Sequence, residues 1–426
     1  MIVRYRLLFV TLFILALGAS IYSWHHWRLT YPNRSYVMSE LTQNMRTYCV
    51  GRLLIDLPEG TTWEPQASAV QLGDLSLSVT TGVSQQQYSD LVEQRWKEIE
   101  TLKNDSVRYV RRPPQRSAPL DNSTVFTYGF QQVEGYDLDG VWRDKVVHDA
   151  EGYFWRDGTL FKMGPQLNGT EKITKLFPHL HARAIDEIPS SPGLCLSGAF
   201  VDGYYDLAPG EQEEVSWSFA LPRNLGVVVR HALVWTPGQS MLEKRRESDM
   251  EVAGFVARIL TEPGVVAGRQ EYRAAKRIIG ELSGEEYVVG GTEGEGPQEF
   301  KTNIGGEWDF VGRGAPTPLP GINIAMDTTY LTSRKPPSLG GFPDPEDVTG
   351  GPTKAEFFEI WDAMIDSLRF RPGALTPPPA GGKPLNSPSG PGPVTSIHSG
   401  KSGTDDYALE EFLAGLSSPQ NWMDEL

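Results

Sequence analysis

Apolar and polar positions alternate along much of this chain. Leu75-Ser-Leu-Ser-Val79 and Val215-Ser-Trp-Ser-Phe219 put every second side chain on one face, as half-buried strands do. Between 85 and 103 the period lengthens: Tyr88, Leu91, Val92, Trp96, Ile99 and Leu102 fall at helical spacing behind Gly82 and Ser84. The apolar, β-prone run from Cys49 to Pro58 reads as one strand stopped by proline. Short strands separated by Gly and Asp turns are predicted at 107–110, 123–130, 141–148, 153–155 and 159–163. A helix over 170–188 closes this stretch, with Pro178 kinking it or delaying its start.

From Cys195 the order repeats. Strands at 195–201, 215–219 and 226–235 lead through Thr236-Pro-Gly-Gln-Ser240 into a helix over 241–260. Strands at 273–279, 285–290, 299–302, 307–311 and 322–326 come next, then a helix over 354–368. Ala184-Ile185-Asp186 leads to Pro192-Gly193, and Met364-Ile365-Asp366 leads to Pro372-Gly373 at the same spacing. The chain reads as one unit used twice. Segregated helices and mostly antiparallel strands make the expected class α+β, with two similar tandem domains at 35–192 and 193–373, each a mostly antiparallel sheet with flanking helices, set side by side as a clamp.

The ends differ from this body. Arg4 and Arg6 precede an uncharged apolar run, 7–24, at the lower limit of a spanning helix, so residues 1–28 read as a signal or an uncleaved membrane anchor that sends the rest across the membrane. No cysteine lies near the end of that run, which excludes lipoprotein processing. Residues 374–403 are rich in Pro, Gly and Ser and read as a disordered linker. Residues 404–426 offer a short acidic amphipathic helix with Leu409, Phe412, Leu413 and Leu416 on one face, able to dock on a partner or fold back on the body.

The formal charge is −15, and loss of Arg4 and Arg6 with the leader would leave −17. That balance repels nucleic acid and anionic lipid and suits a basic partner, though an acidic surface also serves plain solubility. The two cysteines, Cys49 and Cys195, stand at the start of the two units. In an oxidising compartment they are expected to pair; the other reading is two buried thiols. Two cysteines alone do not build a zinc site.

Catalytic chemistry finds no positive support. Gly280-Glu-Leu-Ser283-Gly284 has the wrong spacing for a nucleophile elbow. Gly400-Lys401-Ser402 imitates a phosphate loop but has Thr395 where the first glycine belongs. His179 and His181, two apart in a predicted helix, point to different faces. Gly290-Gly-Thr-Glu-Gly-Glu-Gly296 reads as a turn or loop, and nothing places Asp137 and Asp139 around a pocket. No catalytic, cofactor or metal residue is therefore assigned. Trp142, Trp155, Trp217, Trp235 and Trp308 fall mostly in strand-like runs and are expected in the core.

Cys49-Val-Gly-Arg-Leu-Leu-Ile-Asp-Leu-Pro58, Gly193-Leu-Cys195, and the ending from Trp361 through Ser367-Leu-Arg-Phe-Arg371-Pro-Gly373 give the chain a family look. It resembles the type VI secretion immunity proteins that neutralise the fourth class of antibacterial lipase effectors, over residues 43–373. The resemblance implies two α+β domains acting in the periplasm as a pincer on a cognate phospholipase, holding its lid region so that substrate cannot reach the active site. It implies a protein partner, no enzymatic activity, no cofactor, membrane contact only through the N-terminal segment, and a monomer before binding. It supplies no contact residues, and the tail after Gly373 departs from the family pattern. The competing expectation is a membrane-anchored envelope scaffold or ligand-binding protein that uses the interdomain cleft.

Overall fold

The run from Cys49 to Pro58, expected as one strand, is a hairpin. A computed structural model describes residues 40–102, 110–136, 142–203, 213–233, 238–248, 265–295, 300–313, 319–328, 331–333, 348 and 350–374. In it a short helix, α1 (Glu40–Gln43), precedes β1 (Met45–Val50), and the chain reverses at Gly51 and Arg52 into β2 (Leu53–Pro58). Gly51 takes φ +56°, where a side chain is strained, and an added Cβ would sit 3.1 Å from His231 Nδ1. The segment expected at 195–201 breaks in the same way into β10 (Gly193–Leu196) and β11 (Ala199–Asp202). The export segment at 7–24, the linker past 374 and the tail helix lie outside the described residues.

After β2 come β3 (Thr62–Leu72), β4 (Leu75–Thr81) and helix α2 (Gln85–Thr101). Ser84 starts α2 with a capping box: its side chain accepts from the Gln87 N–H at 3.2 Å while Gln87 accepts from the Ser84 N–H at 2.8 Å. Tyr88, Val92 and Ile99 of the predicted stripe are buried, whereas Leu91 and Leu102 are not. Then come β5 (Gln115–Ser117), β6 (Ser123–Tyr136), β7 (Trp142–Arg156), β8 (Thr159–Leu167) and α3 (Thr170–Leu176). The helix expected over 170–188 ends early. Pro178 holds the chain in a 3-10 turn at Phe177–His179, and an extended strand, β9 (Leu180–Ala182), comes after it.

The second half continues with β12 (Glu213–Leu221), β13 (Leu225–Leu233), α4 (Met241–Ser248), β14 (Val265–Ile279), β15 (Leu282–Glu295), β16 (Phe300–Phe310), β17 (Gly321–Thr328), β18 (Leu331–Ser333), α5 (Lys354–Ser367) and β19 (Arg369–Phe370). The glycine-rich stretch from Gly290, expected as a turn or loop, continues β15 as far as Glu295. There it pairs with β14 on one side and β16 on the other, and its small residues tolerate the extended ladder.

The sheets expose the duplication. Among the described residues one large antiparallel sheet runs β14-β15-β16-β17-β13-β12-β3-β4-β8-β7-β6-β5, with β18 beside β16. Outward from the central pair, β3-β4-β8-β7-β6-β5 matches β12-β13-β17-β16-β15-β14, strand for strand. The two halves therefore share one sheet through β3 and β12, related by a pseudo-two-fold axis between them. Pro65 lies where that pairing slips, between Ser216 and Ser218, so its missing N–H breaks no ladder bond.

Two small sheets repeat the relation with an exchange. β1-β2 takes its third strand from β19 at the end of the second half, and β10-β11 takes its third strand from β9 at the end of the first. Each closing strand completes the opposite half's opening hairpin. Helix α5 obeys the same logic: its apolar residues Phe357, Ile360, Trp361, Met364 and Ile365 are buried in the core that also holds Leu53, Ile55 and Leu57 of β2. Each such side chain stabilises by roughly 1.5–3 kcal/mol on burial. A helix of this length is marginal alone, so packing rather than propensity holds it. Among the described residues no helix is long and apolar enough to cross a membrane.

Candidate functional site

The two sequence-predicted cysteines meet at the join of the halves. Cys49 on β1 and Cys195 on β10 form a disulfide, with Cα atoms 5.7 Å apart. Backbone bonds between Gly51 and Cys195, at 2.9 and 2.8 Å, flank the bridge, and Leu54 and Phe200 pack over it. The link thus joins equivalent strands of the two units. Two arginines at equivalent positions after the exchanged strands reinforce it. Buried Arg183 donates to the Ala199 and Leu196 carbonyls at 3.1 and 2.9 Å, and Arg371 donates to the Pro189, Ser191 and Gly193 carbonyls at 2.6–2.7 Å. With carbonyls as its direct acceptors, Arg183 has its pKa pushed down by burial to about 10.

Three further charged groups are closed on themselves. Arg52 makes a bidentate pair with Glu213 at 2.9 and 2.7 Å, both inaccessible to water, and a third bond to the Ala374 carbonyl at 2.7 Å. His231 lies beside them, fully buried, and burial drives its pKa down to about 4, so the ring is neutral at pH 7. In the second half, Arg273 and Arg277 of β14 converge on Glu286 of β15 and on Asp362 of α5, while Trp361 donates to Glu286 at 2.8 Å. Burial would lower both arginines, but the carboxylates around them outweigh it and hold them charged. In the first half, Arg95 of α2 reaches Glu151 at 2.6 and 3.0 Å, and Tyr128 and Tyr153 donate to the same carboxylate. Burial would raise Glu151, yet these four bonds keep it below the ordinary range. The ion pairs among these groups tie a helix or hairpin to a sheet.

The other sequence candidates fall elsewhere. His179 and His181 lie in the 3-10 turn and β9 rather than in a helix, and both face Asp202 at the end of β11, at 2.9 and 2.8 Å. They help to fasten the exchanged strand. Among the described residues no His, Cys, Asp and Glu group has the geometry to hold a metal. Trp217 and Trp308 are core residues as expected, and Trp155 is half-buried; Trp235, Asp137, Asp139 and Gly400-Lys401-Ser402 lie outside the described residues.

Trp142 departs from the expectation. It is 54% exposed and stacks edge-on against Tyr136, itself 74% exposed, with ring centroids 5.1 Å apart. The two residues are cross-strand partners at the end of the β6–β7 hairpin. Among the described residues, β5 pairs β6 only at 125–127 and β8 pairs β7 only from Asp149 onward, so 131–136 and 142–147 form a two-stranded ribbon bonded to itself. The sequence signal was available: Tyr136 and Trp142 bracket an Asp-Gly turn region and lead into Arg143, Asp144 and Lys145, a run too polar for a core strand.

The described site is a surface with an aromatic tip on a fold locked by a disulfide and exchanged strands, and comparison with known proteins identifies that fold. No curated protein sequence matches the chain. The apo structure of the immunity protein TplEi of the T6SS from Pseudomonas aeruginosa matches with a TM-score of 0.54 at 20% identity, over 79% of this chain and 100% of that one. A chain of the crystal structure of the Tle4-Tli4 complex matches with the same TM-score, identity and coverage. TplEi from the same organism, complexed with "L" peptide, matches at 0.51 and 20% identity, over 78% of this chain and 99% of that one. At such identity these likenesses establish the fold. The family model of the Tle cognate immunity protein 4 N-terminal domain matches residues 46–176, and that of its C-terminal domain matches residues 187–373. Together the two domain models span most of the sequence, and the chain belongs to the Tle cognate immunity protein 4 family.

Proposed function

We propose that this protein is a periplasmic immunity protein that binds a cognate type VI secreted phospholipase and covers its lid region, so that substrate cannot reach the active site. The observation that carries this reading is the match of both family domains, in order, over residues 46–176 and 187–373. Two features support the compartment. Arg4 and Arg6 before the apolar run at 7–24 favour export of the body of the chain, and a buried disulfide suits an oxidising space. Occlusion suits the chemistry. An inhibitor of this kind needs shape and aromatic or arginine anchors rather than an ordered set of acids and bases. The domains at 35–192 and 193–373 would act together as the clamp, one copy per toxin.

A growth competition tests it. A susceptible strain exports the lipase encoded beside this protein's gene, with or without the protein directed to the periplasm. Rescue is expected, and it should disappear when residues 1–28 are deleted. No rescue by protein shown to be folded and exported would overturn the proposal and turn attention to the ligand-binding alternative.

A further inference from the structure

The β6–β7 ribbon sorts its charges by face. Cross-strand partners share a face and successive residues alternate. The register pairs Tyr136 with Trp142, Glu134 with Asp144, and Gln132 with Val146, so these six residues lie on one face; Arg143 and Lys145 lie on the other, opposite Gly135 and Val133. One face therefore carries the aromatic pair and, next to it, two carboxylates directly opposed, with Gln132 donating to Asp144. Like charges directly opposite one another weaken a strand pair. The two cations of the ribbon, which could have relieved them, are on the far face. Residues 142–146 are all exposed, and Val146 adds apolar area behind the carboxylates.

An exposed, edge-stacked Tyr–Trp pair beside paired carboxylates has the chemistry to take a guanidinium or ammonium group. The rings offer their faces to the cation and the carboxylates neutralise it. A planar guanidinium fits both demands better than an ammonium. We infer that this face of the ribbon is a docking surface for an arginine-bearing segment of the protein partner, set between Tyr136–Trp142 and Glu134–Asp144. The inference rests on the proposed immunity function for the identity of that partner. The chain's charge of −15 points the same way, because it attracts a basic surface at long range before the ribbon engages it. Acidic balance and opposed carboxylates also argue against an anionic lipid surface as the occupant, although exposed aromatic residues alone would suit one.

The counterpart hairpin in the second half shows that the feature is not required by the fold. There β15 is paired with β14 along its length to Glu295, and β16 is paired with β18 at residues 300–302, so the equivalent ribbon is braced on both sides. Among the described residues the first half has no such bracing along 131–136 and 142–147, and it places Tyr136 and Trp142 there.

The test uses the exported body and the cognate lipase, with affinity measured by titration at two salt concentrations and folding checked by thermal unfolding. Tyr136→Ala with Trp142→Ala is expected to weaken binding at least about thirtyfold while leaving the unfolding temperature in place, as for anchors at an interface centre. Glu134→Gln with Asp144→Gln is expected to weaken binding about tenfold and to flatten its salt dependence, which a purely structural role would not do. If wild type binds and both double variants bind equally tightly with the same salt dependence, the docking inference fails while the immunity reading stands. If wild type itself does not bind, both fail. A third result also overturns the inference: wild type binding vesicles of phosphatidylethanolamine and phosphatidylglycerol, lost in the aromatic variant, with lipase affinity unchanged.

Discussion

The two halves of the molecule share a plan and differ in how they use it. Both set an opening hairpin, six strands of the common sheet, a helix after the second of these, and a closing helix in the same order. In the second half the closing helix α5 is long and is clamped to β14 and β15 by the buried Arg273, Arg277, Glu286 and Asp362 group. In the first half the closing helix α3 is one of the shorter elements. The larger charged contact there is the part-exposed one between Arg95 of α2 and Glu151. Among the described residues, the second half braces its long hairpin and the first does not. The duplicated scaffold is thus divided, among the described residues, into one half that secures the core and one whose long hairpin has no neighbouring strand along its outer part.

The largest test of that division is Asp362→Ala. It strands two buried guanidinium groups around Glu286 and should destabilise by about 3–5 kcal/mol. The corresponding Glu151→Ala leaves Arg95, which is 28% exposed, able to hydrate, and should cost roughly 1–3 kcal/mol. Urea unfolding of the two variants measures both, and equal losses would erase the distinction between the halves.

Next in size is the disulfide. Replacing Cys49 and Cys195 with Ser should cost about 2–5 kcal/mol, since the bridge spans 146 residues of sequence. One cooperative transition should remain, because the exchanged strands and the β3–β12 pairing still join the halves. Two resolved transitions would show instead that the halves fold as separate bodies.

The smallest effect comes from an inexact match within the shared plan. Thr81 and His231 stand at equivalent places, six residues beyond Leu75 and Leu225, beside the turn glycines Gly198 and Gly51 respectively. Only His231 titrates. Its folded pKa is lowered to about 4 from 6.5. The unfolded chain therefore takes up a proton as pH falls below 6.5, while the folded chain resists until about pH 4. Its contribution is fully present above pH 6.5 and is lost through that window, about 2 kcal/mol by pH 5. Denaturation midpoints of wild type and His231→Gln at pH 7 and pH 5 should diverge accordingly. A wild-type midpoint that falls no further than that of the variant would remove His231 from the account.

Elements with a clean period were legible in the sequence. Helix α2 with its Ser84 cap, strands β4, β12 and β17, and helix α5 all lie close to where the pattern puts them. The duplication was legible too, but through misaligned phrases. Ala184-Ile185-Asp186 lies beyond β9 and ends in a turn, whereas Met364-Ile365-Asp366 lies inside α5, so the matching letters do not occupy matching places. The repeat resides in strand order, which a short phrase does not carry. Strand β3 gave no signal because Pro65 and its polar neighbours interrupt the alternation, and yet it joins the halves. The opening hairpins were hidden because apolar residues flank both turns. Trp142 shows the limit for the site: residue type marks an aromatic as core or contact only once the ladder around it is known.

The exchange of closing strands also sets an order of events in time. The first hairpin, β1-β2, waits for β19, so residues near 50 find their last neighbours only when residues near 370 have been made. Contacts this distant in sequence form slowly. Until the end of the body is made, the first hairpin lacks its third strand, so the beginning of the chain is the last part of the fold to be completed.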